Sequence, residues 1–199
     1  MSIHSEAIER ILPRVQKPAR YIGGEWNSVV KDPSTVDIRM ALAFPDSYEL
    51  GMSHLGLRIL YGLLNSKPGI WAERVFCPWL DMEAELRREG VPLTTLESET
   101  PLNEFHVVGF SLQYELNYTN ILTMLHLGGI PLFTADRKED DPLVIGGGSM
   151  AFNPEPLADF FDCILVGDGE ELVLDFLAKL RSLRRSGASR AAMLRELSS

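Results

Sequence analysis

The sequence predicts an α/β fold, an open doubly wound parallel sheet, on three observations. From Ile38 onward, apolar runs that read as strands alternate with helical stretches. The runs are predominantly apolar, as strands covered on both faces are. Five such units in 199 residues suit an open sheet better than a closed eight-fold barrel. The crossovers are then right-handed.

Residues 1–37 read as an N-terminal arm that packs on the domain. A short helix around Glu6–Leu12 stops at Pro13. PARYIGGEWNSVVKDPS follows as extended chain and turns, broken by Pro18, Gly23, Gly24 and Pro33, with Tyr21, Ile22 and Trp26 for docking. IRMALAF (38–44) is the first strand. Pro45–His54 is a polar, glycine-dotted loop. Leu55–Leu64 is a helix apolar on most faces, Arg58 its only charge, and is expected to be well covered. Glu73–Cys77 is the second strand. Trp79–Glu89 is a helix with Trp79, Met82 and Leu86 along one side, and Gly90 supplies its left-handed cap. Pro92–Glu97 is a minor extended piece.

VVGFSL (107–112) is the third strand. Leu116–Leu127 is a helix with Leu116, Ile121, Leu122 and Leu125 inward, closed by Gly128, Gly129 and Pro131. PLVIGG (142–147) and CILVG (163–167) are the fourth and fifth strands. Gly169–Arg185 is a helix with Glu170 and Glu171 at its start and Arg181, Arg184 and Arg185 near its end, an order that complements the helix dipole. The domain proper is 38–185. Residues 186–199 hold a last short helix, Ala188–Leu197, leading to a following domain.

Composition narrows the function classes. A net charge of −9 argues against a nucleic-acid surface and an anionic membrane face. No apolar run reaches the ~18 residues of a spanning helix, and the N-terminus lacks signal-peptide features. The expectation is a cytoplasmic protein without nucleic-acid or membrane partners. Cys77 and Cys163 sit in apolar runs and read as buried thiols, too far apart for a metal or cluster motif.

Sorting the loops by sheet edge separates their chemistry. Asn65–Ala72, Gly90–Glu104 and Gly128–Asp141 fall at one edge and hold turn residues and charge. Pro45–His54, Gln113–Asn117, Gly146–Asn153 and Gly167–Gly169 fall at the carboxyl edge, where open α/β sheets bind ligands. Glycines there let a backbone approach a ligand. There is no GxxxxGK[ST] and no GxGxxG. The carboxyl-edge segments carry Asp46, Glu49, Glu115, Glu155, Asp168, Glu170 and Glu171 but no Lys or Arg, which favours a neutral or cationic ligand over FMN phosphate or nucleotides. His54 reads as a metal ligand, a general base or a polar helix-start residue. It has no cysteine or second histidine beside it to support zinc. His4, His106 and His126 are scattered and read as structural or exposed. Asp46 suits a turn or cap.

FPDSYELGMSHLGLRILYGLLN, WAERVFCPWLDME, VVGFSLQYELNYTNIL, PLVIGGGSMAFNPEPLADFFD and VGDGEE resemble the N-terminal B12-binding-type domain of an uncharacterised family of B12-binding-domain radical SAM proteins, from about Pro18 to Leu180. The resemblance implies a flavodoxin-like, Rossmann-like cobalamin-binding fold with strand order 2-1-3-4-5 and a corrin across the carboxyl edge. It implies cofactor-binding roles for Ser111, Leu112, Gly146, Gly147, Gly148, Gly167, Asp168, Gly169 and Glu170, and the carboxyl-edge loops add Asp46, Tyr48, Glu49, His54 and Gln113 as candidates. Two departures qualify it. The DxHxxG of histidine-ligated cobalamin domains is absent: the loop reads SHLG, with Met52 in the aspartate's place, so ligation by His54 does not carry over. Either cobalamin binds without a protein ligand, or the domain has lost it and serves as a scaffold. The CxxxCxxC of a 4Fe-4S cluster is also absent, so the cluster and S-adenosylmethionine belong to a C-terminal radical SAM domain beyond Ser199, the expected partner. On this reading the chain binds and positions, and does not catalyse alone. The alternatives are a ligand-free interaction domain and, more weakly, a flavodoxin-like FMN protein.

Overall fold

The structure, a computed structural model, describes residues 3–198, with side chains from Glu6 onward. The side chain of His4 lies outside the described residues. Helix α1 (Ile3–Ile11) runs into a single 3-10 turn at Leu12–Arg14, where Pro13 removes a backbone donor. Strand β1 (Ile38–Phe44) follows, then α2 (Tyr48–Ser53), α3 (Leu55–Asn65), β2 (Ile70–Phe76) and α4 (Leu80–Glu89). Then come β3 (Val107–Ser111), α5 (Tyr118–Leu127), β4 (Leu143–Gly147), β5 (Cys163–Leu165), α6 (Gly169–Arg185) and α7 (Arg190–Leu197).

The five strands form one parallel sheet in the order β2-β1-β3-β4-β5. This is the flavodoxin-like open sheet, and its order reverses between β1 and β3. Side chains alternate across a strand, so each strand feeds two cores. Ala41, Ala43, Val75, Val108 and Phe110 pack with α1, α4 and α5 on one face. Met40, Leu42, Phe44, Val107 and Ile145 pack with α3, α6 and α7 on the other.

The N-terminal segment and the 93–101 stretch cover the outer side of β2. Trp71 Nε1 donates to the carbonyl of Val29 at 2.9 Å, and the Leu96 amide donates to that of Arg74 at 2.9 Å. Arg74 lies over the Tyr61 ring, 4.3 Å from its centroid, and pairs with the fully buried Glu97 at 2.7 Å. Beside it Glu73, also fully buried, accepts from Arg39 at 2.6 Å and from Thr95 at 2.8 Å. Buried charges need such partners.

The structure corrects several boundaries. β2 starts at Ile70, so 70–72 is strand rather than turn. The expected loop 45–54 contains α2. Its Gly51 is buried against Phe76 and Phe44, and a Cβ there would lie 2.1 Å from Phe76 Cε1. Trp79 sits outside α4 as its N-cap, half exposed with Arg20 over its ring. Leu116 belongs to a 3-10 turn before α5 and is 72% exposed rather than inward. α3 buries Leu57, Tyr61 and Leu64 but leaves Leu55 and Ile59 exposed, so it is covered on one face only. Cys77 and Cys163 are half-buried on opposite faces of the sheet, and burial pushes their thiols up to about 12 and about 11. Among the described residues no helix is long and apolar enough to cross a membrane.

Candidate functional site

A cleft of about 150 Å³ opens at the carboxyl ends of the strands, between α3 and α6. Its floor is the side of the sheet that faces α3 and α6, with Met40 and Leu42 of β1, Gly109 of β3, Ile145 and Gly147 of β4 and Leu165 of β5. The two helices close in where Leu60 of α3 approaches Gly169 of α6, 3.9 Å from where a Cβ would stand. This is the switch-point crevice in which open α/β sheets bind ligands.

Close packing explains several of the glycines around the cleft. A Cβ on Gly109 would stand 2.3 Å from Met40 Cε. A Cβ on Gly146 would stand 2.8 Å from Leu112 Cδ1, on the opposite side of β4. Gly148 has φ +124°, which favours glycine, and its backbone approaches the Leu112 carbonyl. The Leu112 amide donates to Gly147 at 2.7 Å, and its carbonyl accepts from Met150 at 2.9 Å, which ties the turns after β3 and β4 together. Gly167, φ +142°, makes the corner from β5 into α6.

Of the sequence-derived site residues, His54, Ser111, Gln113, Gly146, Gly147, Gly148, Gly167 and Gly169 line this cleft. The others do not. Leu112 is buried beneath it. Asp46 closes its own turn, accepting from the Ser47 amide at 2.6 Å and from Asn117 Nδ2 at 3.2 Å. Tyr48 donates to Glu25, and burial together with that bond pushes its hydroxyl up to about 12. Glu49 accepts from Arg20 at 2.9 Å and from Lys17 at 3.2 Å, and the Arg20 hydrogen bond holds its carboxyl down at about 2. Asp168 is the N-cap of α6, and Glu170 is in that helix's first turn. The loop carboxylate at 49 is thus answered by cations from the N-terminal segment, which loop composition alone could not show.

Sequence reasoning missed the cleft floor. One signal was available: Gly109 interrupts an otherwise apolar strand, and glycine inside a strand often marks close approach of a ligand or another chain. The alternation of β1 and β4 then adds Met40, Leu42 and Ile145 to the same side.

The polar side chains along the cleft are few: Ser111, Gln113 and His54. His54 caps α3, its Nδ1 accepting from the Leu57 amide at 3.2 Å, with its ring tilted on Phe44 at a centroid distance of 5.0 Å. Among the described residues no three His, Cys, Asp or Glu side chains form a group able to hold a metal ion. The connections after β3, β4 and β5 expose large apolar side chains: Tyr114, Leu116, Phe152 and Val166. Trp79 and Leu80 do the same after β2.

An open parallel sheet with an apolar crevice at its switch point has the geometry in which α/β folds bind ligands. Residues 56–199 match the family model described as radical SAM proteins, N-terminal. The match covers well over half of the chain, which therefore belongs to that family of N-terminal domains. No curated protein and no solved structure matches the chain.

Proposed function

We propose that this chain is the corrinoid-carrying, positioning module of a radical SAM protein. The observation that carries the reading is the glycine-floored cleft at the switch point, bounded by few polar side chains. The residues present fit a corrinoid in two respects. Gly147 leaves open the space that a side chain would take, and the exposed apolar rim suits a broad, largely uncharged macrocycle. Ser111, Gln113 and His54, with the backbone of 146–148, would hold the part that enters. When bound, the corrinoid supplies a cobalt able to carry a methyl group or an electron. The chain's own contribution is orientation and exclusion of water. With only Cys77 and Cys163, this chain cannot supply a three-cysteine cluster motif, so the 4Fe-4S cluster and S-adenosylmethionine belong to another domain of the parent protein.

The rim supports a second reading, a ligand-free docking face for that domain. Its connections carry acids and exposed apolar side chains but no Lys or Arg, so the facing surface would be apolar and basic.

Hydroxocobalamin mixed with the purified chain and then desalted separates the two. Retained corrin absorbance supports the first, and loss of all corrin in the flow-through removes it. Gly147→Val is the matched control. A Cβ there meets only Leu165 atoms, at 3.6 and 3.9 Å, yet faces the cleft. The variant should keep its unfolding free energy within about 1 kcal/mol and lose retention.

A further inference from the structure

The tautomer of the cleft's imidazole is fixed by the helix it starts. His54 Nδ1 accepts the Leu57 N–H, which closes the first turn of α3. A ring nitrogen that accepts carries no proton, so the neutral ring holds its proton on Nε2. Phe44 and Gly56 hold the ring in this pose: Phe44 packs against it, and a Cβ at position 56 would come within 3.1 Å of its Cε1.

A histidine that binds a metal normally donates its second N–H to an acceptor. Here the polarity is reversed. Nδ1 is occupied by the Leu57 amide. Coordination through Nε2 would move the proton to Nδ1, break the cap and leave that amide without its acceptor.

We propose that His54 is a positioning residue, an Nε2–H donor to a hydrogen-bond acceptor on the ligand, and that it does not coordinate cobalt. The part concerning cobalt rests on the corrinoid reading above; the tautomer does not.

Long-range ¹H–¹⁵N NMR of the chain labelled with ¹⁵N-histidine tests the tautomer, with His54 assigned by its absence from the His54→Asn spectrum. At neutral pH the proton is expected on Nε2; a proton on Nδ1 overturns the proposal. With hydroxocobalamin bound and reduced to Co(II), the EPR spectrum of the same labelled protein should show no ¹⁵N doublet on cobalt. A doublet overturns it. His54→Asn separates binding from folding, because asparagine also caps helices. It should leave the thermal midpoint unchanged and weaken hydroxocobalamin binding by about 3- to 10-fold, the worth of one neutral hydrogen bond. Unchanged affinity overturns the donor role. If no cobalamin is retained, the corrinoid reading falls by itself, and the NMR result still decides the tautomer.

Discussion

His106 shows how one residue ties the amino end of the sheet to pH. Its Nδ1 accepts the backbone N–H of Arg39 at 2.9 Å, while its own amide donates to the Arg39 carbonyl. Burial, and then the nearby Arg184 and Arg39, push its imidazole from 6.5 down to about 4. The folded state therefore takes up the proton later than the unfolded chain does. Its contribution is complete above pH 6.5 and is lost as pH falls towards 4. Urea midpoints should fall across that window, and His106→Gln should flatten the fall. A variant as pH-sensitive as the parent would assign the effect elsewhere. Gly148 makes a second residue-scale prediction. At φ +124°, an added Cβ would stand 2.7 Å from the Leu112 carbonyl oxygen. Gly148→Ala should cost about 1–3 kcal/mol in urea unfolding, and an unchanged stability would show that the turn after β4 can relax.

Among the elements, α7 depends on one charge cluster. Arg190 donates to Asp162 at 2.8 Å and to the Asp141 carbonyl at 2.8 Å, and its amide bonds Glu139 at 2.7 Å. Asp162 also accepts from Arg137 at 2.9 Å and from the Val144 amide at 2.7 Å, beside the start of β4. Removing one partner of a buried pair is strongly destabilising. Because Asp162 keeps Arg137, Arg190→Met should sit at the low end, about 3 kcal/mol, with faster amide exchange in α7. Exchange in α7 matching the parent's would contradict this role. Buried charge also explains why some elements were legible in sequence and others were not. β3 and β4 are plain apolar runs because both their faces are covered, and β1 departs from that pattern only at Arg39. β2 carries Glu73 and Arg74 in mid-strand, and their partners Arg39 and Glu97 come from far along the chain. Nothing local says that these charges are buried. α2 was hidden in a loop because Gly51, a poor helix former, is needed for its approach to Phe76 and Phe44.

For the whole molecule, parallel pairing brings the carboxyl ends of β1, β3, β4 and β5 to one edge. The glycines of 146–148 and 167–169 were readable as a shared rim for that reason. The cleft floor was not, because Met40, Leu42, Gly109 and Ile145 look like any buried strand residues until the register sets them side by side. The diversion of Asp46, Tyr48 and Glu49 to internal partners was equally invisible, since three of those partners, Lys17, Arg20 and Glu25, come from the segment before β1.

A corrinoid bound as proposed would enter between α3 and α6 over the β3–β4 glycines. Hydrogen exchange followed by mass spectrometry, with and without hydroxocobalamin, tests it most directly. Slowed exchange across 109–113, 146–149 and 165–170, with 128–141 unchanged, is the predicted result. No slowing in those three segments, or slowing confined to other parts of the chain, would contradict it.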